Sequence, residues 1–354
     1  MREYTAEDIV VLTELEALRR RPGMYVGSVG PEGQRRAVGL ALRWAVAQHL
    51  AGQARRLDVK QESGGRFVVS WDGEGPLPAD DDGGWEANVQ STHGYFRGVD
   101  DLTNMLLGLR VGVLNGLSED FHFHVERDEV SFHQGFSRGV PLGPPAEARP
   151  SGAHRITLSF RLDPTVFEGA FPVEDFEGDI SLVAALHPGL RVWLDEREVS
   201  QPRGLVDFAE RQLPWTGLRF RHVRTTLDGV RVQLATADLE RAEGALRIWV
   251  NGEPIVEGTP FEALVDWLGG RREEGAVVLL SLHFGEPCYL GRPQRGIGNR
   301  ELVPLLGRLF RALDDIPSSL DGLVDATPFA TAVLLDWARE HGRAAVLDAF
   351  ATRV

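Results

Sequence analysis

The chain has 354 residues, with 52 acidic against 38 basic side chains and a formal net charge of -14. All but one of the basic residues are arginine, and the single lysine, Lys60, lies in no P-loop or Schiff-base context, which excludes both chemistries. At 43% hydrophobic and 25% charged this is an ordinary globular composition, about two domains long, whose acidic balance opposes nucleic-acid binding across the whole surface.

Met1 to Glu14 carries no cationic-then-apolar leader pattern, and no run in the chain reaches the ~20 apolar residues of a membrane span. The expectation is a soluble, cytoplasmic protein with no membrane contact. Ala6 to Arg20 reads as a helix stopped by Arg21-Pro22-Gly23. Gln34 to Ala51 follows, with Val38, Leu42, Ala45 and Leu50 at helical spacing and Gly52 at its end. Arg66 to Trp71 alternates as a strand into the turn Asp72-Gly73-Glu74-Gly75. Pro76 to about Asp101 is loop-like and includes Asp80 to Asp82, expected to be solvated acids. Leu106 to Leu117 is apolar again. Strands are predicted over Phe121 to Glu126, Glu129 to Gly135 and Arg155 to Arg161, with Val140 to Gly152 as a long connection.

The second half is expected to start near Pro172. Strands are predicted at Leu190 to Leu194, Leu218 to Thr225, Val230 to Thr236 and Leu246 to Val250, with a turn at Asn251-Gly252. Leu205 to Leu213 reads as a helix, and Thr259-Pro260 opens another. Ala276 to Phe284 is a nearly unbroken apolar run, the pattern of a strand buried on both faces. Cys288, the one cysteine, excludes an internal disulfide framework and a multi-cysteine zinc site. Gly291 to Arg300 is an arginine- and glycine-rich loop, and helices over Glu301 to Leu313 and Pro328 to His341 close the chain.

Several segments together resemble a known family. Glu16-Ala17-Leu18-Arg19-Arg20-Arg21-Pro22-Gly23-Met24-Tyr25-Val26-Gly27 looks like the opening motif of the gyrase B and topoisomerase IV B ATPase region. Asp72-Gly73-Glu74-Gly75 is similar to its D-G-x-G turn, and Val113-Leu114-Asn115-Gly116-Leu117-Ser118 to its V-V-N-A-L-S. His187-Pro188-Gly189-Leu190-Arg191-Val192-Trp193-Leu194-Asp195-Glu196-Arg197 resembles its N-P-G-x-x-I-x-L-x-D-E-R. The resemblance implies an α+β chain: a GHKL (Bergerat) ATPase-like α/β sandwich over 1–170, then a transducer domain of the ribosomal-S5-like α/β fold over 171–354. It leaves no room for a Toprim domain before Val354.

Family members use ATP and Mg2+, and the resemblance places their working groups on poorly suited residues. The general-base glutamate falls on Leu40, whose alkyl chain relays no proton. The asparagine that holds Mg2+ through oxygen falls on Trp44, with Arg43 in the neighbouring acidic place. The adenine-binding aspartate falls on Trp71, and the threonine supporting it near Ile156. Asn104 to Val111 replaces the phosphate loop, keeping Gly108 but with Arg110 at another glycine position, where a Cβ hinders an amide cradle. The transducer lysine falls on Gln294 of Arg292-Pro293-Gln294, and Lys60 lies too early to replace it. The degenerate positions are thus Trp44, Trp71, Asp72, Gly73, Gly75, Gly108, Arg110, Ile156 and Arg292, with no catalytic residue, metal or cofactor expected. Trp44 and Trp71 are expected to fill the emptied space as core, a new stacking pair being the alternative.

Weaker patterns accompany these. His122, His124 and His133 share a face across one hairpin, Glu177-Gly178-Asp179 has the letters of the Toprim motif, and Arg271, Arg272, Arg292, Arg295 and Arg300 are local basic points. None is expected to bind metal or DNA. Met1 to Thr5, with Tyr4, is a candidate dimerisation arm. The expected function is a gyrase-B-like pseudo-ATPase acting as a scaffold for a protein partner, itself or a topoisomerase-like subunit. The alternatives are a ligand sensor with a remodelled pocket, using Arg110, Trp71 or Arg292, and the ATPase-region fragment of a split topoisomerase.

Overall fold

A computed structural model describes residues 12–73, 111–214, 217–239, 245–268, 276–285, 287–290, 296–316 and 337–350. The chain divides into two compact units, one of 1–180 with 189–200, the other of 181–188 with 201–354.

The first described element is α1 (Glu14–Arg20), capped by Thr13; Ala6 to Val11 of the predicted helix lie outside the described residues. The Thr13 hydroxyl accepts the Glu16 amide, and the Glu16 carboxylate accepts the Thr13 amide, a reciprocal capping box. Next come α2 (Gly23–Val26) and α3 (Pro31–Leu50), the latter started by a proline at its first position. Gly52, just beyond its cap, takes φ +78°, a left-handed conformation that glycine adopts without strain. Then follow β1 (Arg56–Glu62), β2 (Arg66–Asp72), α4 (Val111–Gly116), β3 (Ser118–Arg127) and β4 (Val130–Ser137). Two short strands, β5 (Val140–Pro141) and β6 (Ala146–Glu147), both pair with β4, so the segment predicted as a plain connection instead borders the sheet. After β7 (Arg155–Leu162) comes α5 (Val173–Leu186), a stretch for which the sequence reading predicts no element. Its buried Phe176, Ile180 and Ala184 recur every four residues, a helical period masked by the acids between them.

The strands form one sheet in the order β5-β4-β3-β7-β2-β1-β8-β9, where β8 is Arg191–Leu194 and β9 is Arg197–Glu198. Predicted for the second half, β8 instead runs parallel to β1, pairing Leu57 with Val192 and Val59 with Leu194. One face of the sheet is apolar: Leu57, Val59, Phe67, Val69, Phe121, Phe123, Val125, Leu158 and Phe160 are all buried. Alternation places Arg56, Asp58, Arg66, Asp120, His122 and Arg161 on the other face, where several pair as ions.

A buried carboxylate ties the opening motif to this sheet. Asp163 has no exposed side-chain surface; it accepts from Arg19 Nη2 at 2.6 Å and Arg138 Nε at 2.9 Å, and from the Thr165 hydroxyl and amide. Burial alone would raise its pKa, but the Thr165 and Arg19 hydrogen bonds outweigh it and hold the carboxyl at about 2. Arg19 also donates to the Gly116 carbonyl, so one guanidinium joins α1, α4 and the end of β7.

In the second unit, α6 (Leu205–Gln212) precedes β10 (Arg221–Leu227), β11 (Val230–Asp238), β12 (Ala245–Val250) and β13 (Glu253–Ile255). Short β14 (Glu257–Gly258), α7 (Thr259–Leu268), β15 (Ala276–His283), β16 (Tyr289–Leu290), β17 (Gly296–Ile297), α8 (Leu302–Asp315) and α9 (Ala344–Phe350) complete it. Its main sheet has the order β10-β11-β15-β12-β13, which makes the apolar run of β15 central, as its composition predicts. Val278, Leu280 and Leu282 point to a core completed by Leu305, Leu306, Leu309 and Phe310 of α8. Val277 and Leu279 point the other way, to Leu205, Phe208 and Trp249. On that second face Gln233 clamps two segments: its Oε1 accepts the Leu205 amide and its Nε2 donates to the Ala185 carbonyl. Gly204 (φ +60°) must be glycine there, since a Cβ would stand 1.7 Å from Gln233 Oε1.

His283, at the end of β15, is buried against the His187 ring, with centroids 5.1 Å apart. Burial first, and then the Arg231 charge, pushes its pKa down to about 4.

Both buried groups make stability depend on pH. Asp163 is depressed from 3.8 to about 2, so its contribution is complete above pH 4 and lost as pH falls through 2. Asp163→Asn should therefore cost about 2 kcal/mol at pH 7 in urea unfolding, with the gap to the parent closing between pH 4 and 2. His283 is depressed from 6.5 to about 4, so the unfolded chain binds its proton first and stability falls as pH drops through that window. Relative to a His283→Gln variant, the parent should lose about 3 kcal/mol between pH 7 and 4.

Candidate functional site

Leu40, Trp44 and Gln48 stand four residues apart on α3 and so share one helix face. All three are buried, Trp44 completely. Opposite them, strand alternation turns Trp71 of β2 inward, flanked in register by Leu57 of β1 and Ile156 of β7. Trp71 and Ile156 are likewise completely buried.

The rings meet closely. Trp44 and Trp71 are edge-to-face with centroids 5.2 Å apart, and Trp44 stacks on Phe123 of β3 at 5.5 Å with planes 1° apart. Such pairs are worth about 0.5–1.5 kcal/mol beyond the area they bury. Trp71 Nε1 donates to Gln48 Oε1 at 2.8 Å, so the polar end of the indole is satisfied inside the core. Gly73 leaves room for that amide: a Cβ there would lie 2.3 Å from Gln48 Oε1. Asp72 turns away and accepts the backbone amides of Arg55 and Arg56 at 2.8 and 2.5 Å, tying the end of β2 to the start of β1.

Four of the residues named from the sequence, Leu40, Trp44, Trp71 and Ile156, thus belong to this buried layer, with Gly73 at its edge. Asp72 serves the backbone instead. Gly75, Gly108, Arg110, Arg292 and Gln294 lie outside the described residues, as do the Met1 to Thr5 arm, Asp80 to Asp82, Arg271, Arg272 and Arg295. Two members of the cluster were not anticipated. Gln48 was signalled by its four-residue spacing from Trp44, and Phe123 by its place in the alternation of β3.

Chemically the layer offers little. An alkyl chain, two indoles and a phenyl ring relay no proton and supply no oxygen to a hard cation, and the Gln48 carbonyl already accepts from Trp71. Lys60 projects from β1 and pairs with Glu196 at 2.8 Å in solvent, a contact that raises its pKa.

The weaker patterns resolve individually. His124 faces His133 across the β3–β4 hairpin and bonds Ser131 Oγ at 2.7 Å. Among the described residues, no group of three His, Cys, Asp or Glu side chains is arranged to hold a metal ion. Glu177-Gly178-Asp179 lies within α5, and Asp179 forms a bidentate pair with Arg35 of α3. Arg300 is exposed. No helix among the described residues is long and apolar enough to cross a membrane.

The fold, a mixed sheet backed by α3 and α4 and then a second α/β unit, is similar to that of solved gyrase B structures. The chain is similar to the B-subunit of the DNA gyrase from Myxococcus xanthus at TM-score 0.66 and 22% identity, covering 84% of this chain and 95% of that one. It is also similar to the 43K ATPase domain of Thermus thermophilus gyrase B, solved in complex with an aminocoumarin. There the TM-score is 0.65 at 22% identity, with 94% of this chain and 97% of that one covered. In sequence it is 26% identical over 352 residues to the DNA gyrase B protein of Staphylococcus aureus, covering 87% of this chain and 54% of the relative. Against the gyrase B of Mycolicibacterium smegmatis it is 33% identical over 208 residues, covering 56% of this chain and 30% of the relative. The chain therefore spans about half the length, or less, of these relatives, and no family model matches it. Sequence and fold agree: by both, the chain is similar to gyrase B proteins.

If Trp44 is the central strut of the buried layer, Trp44→Ala should destabilise the protein by about 3–5 kcal/mol, the usual cost of removing a buried tryptophan. Urea unfolding followed by circular dichroism measures this, and a loss under about 1 kcal/mol would contradict the packing role.

Proposed function

We propose that this chain is a catalytically inactive gyrase-B-like pseudo-ATPase that works as a protein-interaction or dimerisation scaffold associated with a type II topoisomerase or another DNA-related complex. The observation that carries the reading is the complete burial of Trp44 and Trp71 against each other, at the positions the family resemblance gives to the Mg2+-binding and adenine-binding groups. Two indoles in contact leave no gap between them for a purine, and neither carries a group that the chemistry requires. Leu40 supports the same conclusion from the base position, because a carboxylate is needed there to polarise the attacking water.

Lysine supplies independent support. The family's γ-phosphate lysine has no counterpart in this chain, and Lys60 is committed to Glu196 on a strand of the first unit. What remains is a two-unit α+β framework related to gyrase B, suited to holding a second protein. The partner in this reading is another copy of the chain or a topoisomerase-like subunit, and the place of action is the cytoplasm.

The test uses the purified full chain. With Mg2+ present, ATP at millimolar concentration should leave the melting temperature unchanged, and phosphate release should stay at the buffer rate, with or without DNA. Mg2+-dependent ATP binding in the micromolar range, or turnover above background, would overturn the proposal.

A further inference from the structure

The contacts of Trp71 are those of a bound ligand more than of a generic core residue. Its ring is met edge-to-face by Trp44 at 5.2 Å and flanked in register by Leu57 and Ile156, and its only N–H finds one acceptor, Gln48 Oε1, at 2.8 Å. The acceptor is itself closely surrounded. Gln48 sits on the last turns of α3 with only 2% of its surface exposed, and Gly73 leaves it just the space it occupies. Among the described residues, these neighbours of the Trp71 ring are apolar apart from the Gln48 carbonyl, an arrangement that favours a planar heteroaromatic carrying one N–H donor.

We infer that Trp71 acts as an intramolecular ligand: its side chain occupies a preformed slot which, once that side chain is removed, binds a free planar heteroaromatic N–H donor such as indole. The inference rests on the pseudo-ATPase reading of the same site but extends it, because it names the chemistry that the slot selects. The physical basis is that a buried, well-packed wall relaxes only partly when a large side chain is deleted, and an apolar cavity so formed stays open to an apolar guest. Here the guest also takes over the hydrogen bond that Trp71 Nε1 makes to Gln48 Oε1. Phe123, stacked on the far partner Trp44, keeps that wall aromatic.

The experiment compares the parent with Trp71→Ala, using indole and its carbon isostere indene as probes. Thermal melting of Trp71→Ala should rise with indole concentration, whereas the parent should not respond. Indole should bind about tenfold more tightly than indene, the ratio set by one net hydrogen bond of roughly 1.4 kcal/mol. In Trp71→Ala/Gln48→Leu that preference should vanish while indene still binds. If Trp71→Ala does not fold alone, refolding it from urea with indole reads the same affinity through recovered helical circular dichroism. Failure of indole to stabilise or recover the variant overturns the inference, as does equal binding of indole and indene. ATP binding to the unaltered chain is a separate readout, so the pseudo-ATPase reading can fail without this inference, and this inference without that reading.

Discussion

The seam between α3 and the sheet is held by aromatic contact, and much of the first unit is arranged around it. Trp44 reaches across from the helix to Trp71 and Phe123 on two different strands, while Gln48, one turn on, takes the indole N–H of Trp71. Because α3 is 20 residues long and buried over most of its length, this contact sets where the helix lies on the sheet. The strand alternation of β2, β3 and β7 then fixes which residues join the core and which face outward. A pair of indoles is well suited to such a joint: each buries a large area, loses few rotatable bonds and has only one polar atom to satisfy.

A second constraint is electrostatic, and it explains how an acidic chain can be so rich in arginine. The cations are used as fixed forks. Arg19 and Arg138 converge on the buried Asp163, and Arg35 holds Asp179 with two hydrogen bonds. Arg66 and Arg161 share Asp120 on the open face of the sheet. A guanidinium presents several donors in one plane and meets a carboxylate at two points, which an ammonium cannot do. Arginine that is busy in such pairs is not offered to phosphates, so the residue count alone overstates how basic the surface is. The exposed pairs among these add little to stability, whereas the fully buried Asp163 carries a real cost if its partners are lost.

Most of the fold was legible because its signals are local. The central strand of the second unit declared itself by a nearly unbroken apolar run, and α3 by apolar spacing closed with glycine. What escaped was non-local or masked. Acids interleaved with Phe176 and Ile180 hid α5, and only pairing with β1 reveals that β8 belongs to the first sheet. The cap at Thr13 was not foreseen, although the Thr13-to-Glu16 spacing is itself a readable start signal. Within the site, the positions of Trp44, Trp71 and Ile156 followed from the resemblance, but their mutual contact did not. Sequence spacing gives the face a residue occupies, and only the register of β2 against β7 brings Trp71 opposite Ile156.

A binding site can be lost in two physically different ways. Substituting one functional group leaves a cavity with altered chemistry, and such a cavity remains open to a modified ligand. On the proposed reading the substitutions here are large as well as inert, and they come from opposite walls, Trp44 from the helix and Trp71 from the strand. Because they meet, each needs the other: removing one leaves its partner against a void, at the cost a buried tryptophan carries. Gln48 adds a directional requirement, since its carbonyl is satisfied by the Trp71 N–H in this geometry. On that reading a return to nucleotide chemistry would demand several coordinated changes, whereas each single change is penalised by the packing. On the proposed reading the residues that hold the framework are also those that close its site, so structural stability and the proposed loss of the family's chemistry rest on one set of contacts.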